Sequence, residues 1–512
     1  MDIALFTPNG ELVASLSDTN SNSKTSSSVI YKALETSEYI EFDRPVDLVS
    51  YDQTPLYFIQ RVMDGSSPIG VLCMSFKFVD ETQRISEMLN EGDKGFELVL
   101  TNESGILYNT TSQDSSSSQF YQDKMQSFSE RKINNQETFC FSCQASGYQG
   151  YKGLSWVSSC YIPVDVSFRL NEGNLIQQSL SHFSALFPAD LNMLNLEINT
   201  ALTIVVLNGK ISSLKNQVQT FLPILDYFQD IGKEIKEVFS DSINHIHAVS
   251  HSTIQEKASF AAQISQEVID RNLYERANDV RWWALNPLIS ETLSSNKINE
   301  YGKISQTLEI INDLYTVYTL LFIFDTNGKV IAVSKPDYEH LLGSNLKDNS
   351  MLKSVSGLSS TQQYTVSDFS NTGFYNEKPT YIYFGAVRDA QNSNVIGGIA
   401  AVFDSEPEFQ AILEDFLPKD PIGETLEGAF SFVVDGSSKI ISSTENKFGL
   451  QAGIRIDQLS NDFQKLIKTN ETQISLDGVE YIIANNSSFG YREFKNCDGY
   501  ENDMTCYVCL KS

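Results

Sequence analysis

Residues 321–346 read LFIFDTNGKVIAVSKPDYEHLLGSNL: an apolar run, an Asn327-Gly328 pair, then a second apolar run. Two such runs flanking Asn-Gly predict an antiparallel hairpin with a two-residue turn, since these residues tolerate the left-handed backbone that tight turns need. The same text stands near the N-terminus as IALFTPNGELVAS, residues 3–15, with Asn9-Gly10 at the turn. Its surroundings repeat as well. PLYFIQRV (55–62) and IGVLCMSFKF (69–78) correspond to PTYIYFGAV (379–387) and IGGIAAVFDS (396–405), and an acidic amphipathic stretch follows each pair. A smaller unit comes next in both halves, where GFELVLTNESGILYN (95–109) matches AFSFVVDGSSKIISS (429–443). Strands clustered between turns, with a helix or two laid across them, make the chain α+β, with antiparallel sheets, rather than an alternating βαβ protein.

Between the halves the text becomes helical. From Pro223 to Asn286 there is no further proline and one glycine, Gly232. Apolar residues recur every three or four positions, as in Ile224, Phe228, Ile231, Ile235 and Val238, and later Phe260, Ile264 and Val268. About 60 helical residues extend roughly 90 Å, enough to serve as a spine for two lobes and as a surface for a partner helix. The organisation that follows has a degenerate pair of lobes over 1–165, without a spine helix, and a helical connector over 166–222. A long helix over 223–290 then carries a distal lobe over 291–415 and a proximal lobe over 416–512.

Composition excludes several function classes. The chain has 512 residues and a formal net charge of −28, with 37 basic against 65 acidic side chains, so an extended nucleic-acid footprint is not expected. No run of about 18 apolar residues exists and no secretory signal is visible, which reads as cytoplasmic for the chain as written, or extracytoplasmic for a fragment of a membrane receptor. The seven cysteines include C-x-x-C pairs at Cys140/Cys143 and Cys506/Cys509. Both lie in strand-like text, where residues three apart face opposite ways, so buried inert thiols are expected rather than a metal site. His245, His247 and His251 read as polar helix surface rather than metal ligands. Phosphate-binding loops, nucleophile elbows and kinase signatures are absent from the text, so neither enzymatic activity nor a cofactor is expected. The Ser/Asn-rich tracts 17–28 and 110–118 read as surface loops.

The long helix followed by LFIFDTNGKVIAVSKPDYEHLLGSNL and then PTYIYFGAVRD and GGIAAVF resembles the double-Cache, or tandem PAS-like, sensor domains of bacterial chemoreceptors and sensor kinases. The resemblance covers about 215–512 well and 1–165 as a second copy. It implies a ligand-binding sensory input module, with a polar or anionic small molecule held in the distal lobe, a homodimer formed through the long helix, and a downstream signalling domain or partner outside this chain. The alternative is a structural or adaptor protein whose lobes have lost their pockets.

The helix end NLYERANDVRWWALNPL (272–288) is then the part delivered onto the distal lobe. Ile269, Leu273, Ala277, Val280 and Ala284 form one apolar seam. Trp282 and Trp283 lie about 100° apart on a helix, so one enters the core while its neighbour lines a groove. Arg276 and Arg281 read as surface partners of Glu275 and Asp279, or, for Arg281, as the holder of a ligand carboxylate. Within the resemblance, Tyr381, Tyr383, Arg388 and Asp404 complete the candidate lining. Phe403 occupies the strand-end position where amino-acid-binding relatives place an aspartate, and Asp404 follows on the opposite face, which puts an α-amino ligand in doubt.

Overall fold

The computed structural model describes residues 2–16, 28–43, 56–89, 96–110, 127–164 and 189–511, apart from breaks of one to three residues inside these spans. The tracts at 17–28 and 110–118 and the first part of the 166–222 connector fall largely outside the described residues. The chain divides into two compact units, Met1–Glu172 and Gly173–Ser512.

The first unit holds two five-stranded antiparallel sheets. One comprises β1 (Asp2–Phe6), β2 (Leu12–Ser15), β3 (Ile40–Phe42), β4 (Leu56–Asp64) and β5 (Ser67–Phe76), with helices α1 (Ser28–Glu35) and α2 (Phe78–Leu89). The other comprises β6 (Glu97–Asn102), β7 (Gly105–Asn109), β8 (Ser127–Ile133), β9 (Gln136–Gln144) and β10 (Val157–Pro163). Their orders, β2-β1-β5-β4-β3 and β7-β6-β10-β9-β8, are the same wiring. Cys140 is buried and Cys143 exposed, as opposite faces of one strand require.

The second unit repeats this wiring twice, on helices. Helices α3 (Ala189–Lys215) and α4 (Leu222–Trp283) form a hairpin, followed by α5 (Pro287–Ser294) and α6 (Tyr301–Leu314). The distal sheet is built from β11 (Tyr318–Asp325), β12 (Val330–Val333) and β13 (Tyr364–Val366). A small ribbon of β14 (Ser370–Thr372) and β15 (Lys378–Thr380) leads to its remaining strands, β16 (Ile382–Arg388) and β17 (Val395–Phe403), and helix α7 (Asn349–Gly357) lies in the β12–β13 connection. Helix α8 (Ser405–Phe416) leads to the proximal sheet of β18 (Phe430–Val434), β19 (Ile440–Ser443), β20 (Gln473–Leu476), β21 (Val479–Ser487) and β22 (Thr505–Lys511), with α9 (Asn461–Thr469). The orders are β12-β11-β17-β16-β13 and β19-β18-β22-β21-β20. Among the described residues there are thus four sheets of one topology, in the tandem PAS-like arrangement expected from the repeat.

The hairpin that opens each sheet shows how literal the repeat is. β1 meets β2 as Leu5↔Ala14 and Phe6↔Leu12, with a bulge between Leu5 and Phe6. β11 meets β12 as Ile323↔Ala332 and Phe324↔Val330, with the bulge at the matching step. The two-residue turn predicted from Asn-Gly is corrected here. Asp325 N–H bonds to the Lys329 carbonyl, Gly328 N–H bonds back to the Asp325 carbonyl, and the Asp325 carboxylate accepts from Asn327 and Lys329 N–H. The turn is therefore longer, with Gly328 alone in the left-handed region at φ 78°. Asp435 and Ser438 reproduce it in the proximal lobe.

Alternation along β11 buries both faces of the distal sheet. Leu321 and Ile323 face the core that contains α4, whereas Leu320, Phe322 and Phe324 pack into a second core on the other face. The α4 seam of Ile269, Leu273, Ala277, Val280 and Ala284 is buried throughout. Gly385 on β16 permits the close approach, since a Cβ there would sit 2.6 Å from the Val280 carbonyl oxygen. In the proximal lobe Cys506 lies in the core shared with α4, and Cys509 in the separate core beyond the sheet.

The helix expected over 223–290 is broken within its last residues. α4 ends at Trp283, and Asn286, extended at φ −63° and ψ 119°, caps α5 by accepting from Leu288 N–H. The cause is local: Pro287 disfavours a helical Asn286 but suits the first turn of the next helix. Among the described residues no helix is long and apolar enough to cross a membrane.

Candidate functional site

The last turns of α4 carry Asn272, Arg276, Asp279 and Trp283 at spacings of three and four, a stripe beside the apolar seam. Arg276 is buried. Its guanidinium lies 5.2 Å from the ring centre of Tyr318 and 5.7 Å from that of Phe403. One terminal nitrogen donates to the Asn272 side-chain oxygen at 3.3 Å, the other lies 3.5 Å from Glu275, and Nε stands 3.7 Å from Asp279. Nε has no hydrogen-bond partner among the described residues, and neither has the buried hydroxyl of Tyr383. Asp279 accepts from the Tyr318 hydroxyl at 2.5 Å.

Electrostatics follow from this burial. Loss of solvent pushes the Asp279 carboxyl up to about 6, with Arg276 and the Tyr318 hydroxyl pulling it back only in part. Burial also opposes the Arg276 charge, but Tyr318, Asp279 and Glu275 outweigh it and the guanidinium stays protonated. Burial raises Tyr318 and Tyr383 well above the usual phenol range, so both hydroxyls keep their protons. The cluster therefore combines a fixed cation, the facing carboxylates of Asp279 and Glu275, aromatic walls and two donors without a hydrogen bond among the described residues.

The seven residues singled out in the sequence divide among several places. Trp283 is 4% exposed and sits edge-on to Tyr315 and Tyr318 at 5.2 and 5.3 Å, within the Arg276 cluster. Tyr383 joins the same cluster. Trp282 is 73% exposed and stands away from the sheet. Arg281 is engaged elsewhere: it donates to the Gln362 carbonyl at 3.0 Å, to Asn278 and to Glu493, and lies 5.8 Å from the Tyr364 ring centre. Tyr381 packs on Phe369 and accepts from Asn502 at 3.5 Å. Arg388 pins the loops around it by donating to the carbonyls of Leu358 and Asn392. Asp404 accepts from the Tyr375 hydroxyl, whose ring belongs to the core on the far face of the sheet.

Arg276 and Asp279 were expected at the surface. Arg276 is instead buried beneath Tyr318 and Phe403 and Asp279 is partly buried against the Tyr318 hydroxyl, and the signal for this was the spacing of the stripe from Trp283. Of the histidines, His245 is exposed, His251 bonds the proximal lobe through Gln473 at 2.9 Å, and the His247 side chain lies outside the described residues.

A strap of the proximal lobe, residues 488–504 between β21 and β22, meets α4 and the distal lobe. Buried Asp270 accepts from the Ser488 hydroxyl at 2.5 Å and from the N–H groups of Phe489 and Gly490 at 3.2 and 2.9 Å, with Lys495 at 3.9 Å. Further along, Glu493 pairs with Arg281 at 3.3 Å and Asp498 accepts from Tyr364 at 2.6 Å. Tyr364 in turn stacks on Tyr383, with ring centres 6.4 Å apart. The strap thus ends one aromatic ring from the Arg276 cluster.

No protein-family model matches the sequence, and no curated protein matches it. Among solved structures, the chain is similar to the sensor domain of the V. cholerae histidine kinase DctB, at 14% identity and a TM-score of 0.37, covering 51% of this chain and 99% of that one. It is similar to the ligand-binding domain of the Campylobacter jejuni chemoreceptor Tlp3 in complex with 4-methylisoleucine, at 14% identity and 0.38, covering 51% and 92%. A third is the ligand-binding domain of the Pseudomonas fluorescens chemoreceptor CtaA in complex with L-isoleucine, at 12% identity and 0.35, covering 51% and 93%. All three are sensor domains of kinases or chemoreceptors, and the likeness is one of fold.

Proposed function

We propose that the chain is a ligand-binding sensory input module in which the distal lobe of the second unit holds a small polar or anionic metabolite beneath the end of α4. The observation that carries this reading is the buried, charged Arg276, whose Nε makes no hydrogen bond although Asp279 stands 3.7 Å away, beside the Tyr383 hydroxyl, which makes none either. Unused donors in a buried place cost stability unless a ligand completes them. An anionic group bonded to both would do so, with the walls of Tyr318, Phe403 and Trp283 around the rest of the molecule. Binding signals only to the extent that the ligand prefers one arrangement of α4 over another. The strap is placed to couple α4 to the distal lobe, since it grips α4 at Asp270 and the distal lobe at Tyr364. The module acts as a homodimer through its long helices and hands the change to a signalling partner, either within the cytoplasm or as the outer part of a membrane receptor.

The test is a thermal-shift screen of the full chain against small carboxylates, phosphates and other polar metabolites. A compound at about 100 times its Kd stabilises the folded state by roughly 2.7 kcal/mol. Arg276→Met is expected to abolish that shift. Tyr383→Phe removes a hydroxyl with no partner, so it leaves the unliganded melting point unchanged or higher while weakening binding. A broad screen without a hit favours the adaptor reading, and binding indifferent to Tyr383→Phe overturns this site.

A further inference from the structure

Where α4 passes the end of β22, a cavity of about 280 Å³ opens to solvent. Ile254 and Lys257 of α4 form one wall, Leu510 and Lys511 of β22 another, and Leu426 and Glu427, from the loop between α8 and β18, close the third side. Alternation along β22 turns Leu510, with Cys506 and Val508, toward the core that contains α4, and Ile254 packs against the same core one turn before buried Ala258. The loop wall is preformed. Leu426 N–H donates to the Pro418 carbonyl at 3.0 Å, and Ala429 N–H donates to the Leu426 carbonyl at 3.0 Å. Charge gathers only at the mouth. Lys511 pairs with Glu427 at 3.4 Å, but that carboxylate is 92% exposed, so the pair is weak. Lys257 is exposed and has no ion pair among the described residues. Two cations thus face one carboxylate above an apolar floor, on a chain whose total is −28.

We propose that this cavity is a second binding site, for a small carboxylate with an apolar chain or ring, its hydrocarbon seated on Ile254, Leu426 and Leu510 and its carboxylate turned to Lys257 and Lys511. Size sets the class. An apolar cavity of about 150 Å³ takes a benzene ring, so this one admits a ring or about eight carbons together with the charged group. Phosphate or sulfate would meet the cations at the mouth and no side-chain donor on the floor, and a neutral hydrocarbon would leave Lys257 unanswered. The site is separate from the Arg276 cluster, since Lys257 precedes Arg276 by about 28 Å along the same helix. A ligand here touches α4 and β22 together, between the hairpin and the strap contact at Asp270. It therefore holds α4 to the proximal lobe, and biases the helix from a lobe other than the one assigned the ligand above.

The test is calorimetric titration of the full chain with sodium octanoate, with octan-1-ol as the uncharged comparison. Octanoate should bind with a Kd below about 1 mM, and octan-1-ol at least about tenfold more weakly. Lys257→Glu should weaken octanoate by at least about tenfold with an unchanged melting point, since the side chain is exposed and holds no partner. Lys257→Arg keeps the charge and should keep the binding. Leu426→Trp fills the cavity and should abolish it. Lys303→Glu makes the same charge change at an exposed position on α6 and should leave binding as it was. Absence of octanoate binding, equal affinity for octan-1-ol, or full affinity in Lys257→Glu or Leu426→Trp would each overturn the proposal. A loss shared equally by Lys303→Glu would overturn it too, because the attraction would then belong to the net charge of the chain rather than to this cavity.

Discussion

Replacing Asp270 should be among the costliest single changes in the second unit. Its carboxylate is fully buried and takes hydrogen bonds from Ser488, Phe489 and Gly490, and from Gln266 at 3.3 Å. Asp270→Ala strands two backbone N–H groups, each costing about 1–3 kcal/mol when left unpaired, and removes the counter-charge of Lys495. A buried charge stripped of its partner costs about 3–5 kcal/mol, but Lys495 keeps bonds to Ser488 and the Asn502 carbonyl, which favours the low end. The expected loss is about 4 kcal/mol, and about 2 kcal/mol for Asp270→Asn, which still accepts part of the set. The assay is urea unfolding of the full chain followed by tryptophan fluorescence, because Trp283 is buried in the same unit. Lys495→Met completes a double-mutant cycle, with an expected coupling above 1 kcal/mol. A loss below 1 kcal/mol, or strict additivity, would show that the strap does not clamp the helix as its geometry requires.

The adjacent tryptophans should behave oppositely: Trp283→Ala is expected to cost about 3–5 kcal/mol and Trp282→Ala less than about 0.5 kcal/mol, measured by the same unfolding titration. Asp279, raised to about 6 in the folded chain, favours folding fully below about pH 4 and loses that contribution as pH climbs through 6. The stability of wild type relative to Asp279→Asn should therefore fall by about 2–3 kcal/mol between pH 4 and pH 7, and a flat difference would refute the assigned burial. Gly385→Ala forces a Cβ to 2.6 Å from the Val280 carbonyl, so a melting curve should show a loss of about 1–3 kcal/mol while Gly302→Ala, which meets nothing within 4 Å, does not.

What could be read from the sequence was whatever the chain repeats or holds at a fixed period. The internal repeat and the turn residues between apolar runs made the sheets readable, and a register slip would have turned Ile323 and Leu321 to the wrong core. The three-to-four spacing gave the spine, and the angle between successive helical residues predicted that Trp282 and Trp283 must part company. Hairpin bulges were not readable, because Asp325 imposes its longer turn through side-chain bonds that an Asn-Gly pair does not announce. Arg276 and Asp279 were misplaced for a related reason. An acid three residues from a base ordinarily sits in water, and here burial is decided by Tyr318 and Phe403, cross-strand partners on adjacent strands that are far from the helix in sequence. The strap was invisible, since Ser488, Asp498 and Asn502 read as loop polarity until Asp270 and Tyr364 are found beside them.

The positions of these contacts along one helix constrain how the module can work. Arg276 and Trp283 lie at the end of α4, Asp270 two turns earlier, and the α3–α4 hairpin at its start, so one continuous helix runs from the hairpin past the strap to the proposed ligand site. Moving such a system from one-tenth to nine-tenths in its signalling state needs about an 80-fold difference in affinity between states, roughly 2.6 kcal/mol. A hydrogen bond to a charged group contributes about 1.5–3 kcal/mol. If a ligand binds as proposed, one such bond, that between Tyr364 and Asp498 beside the ring of Tyr383, is of the right size to set the switch. A much larger network breaking at once would lock the helix in one state.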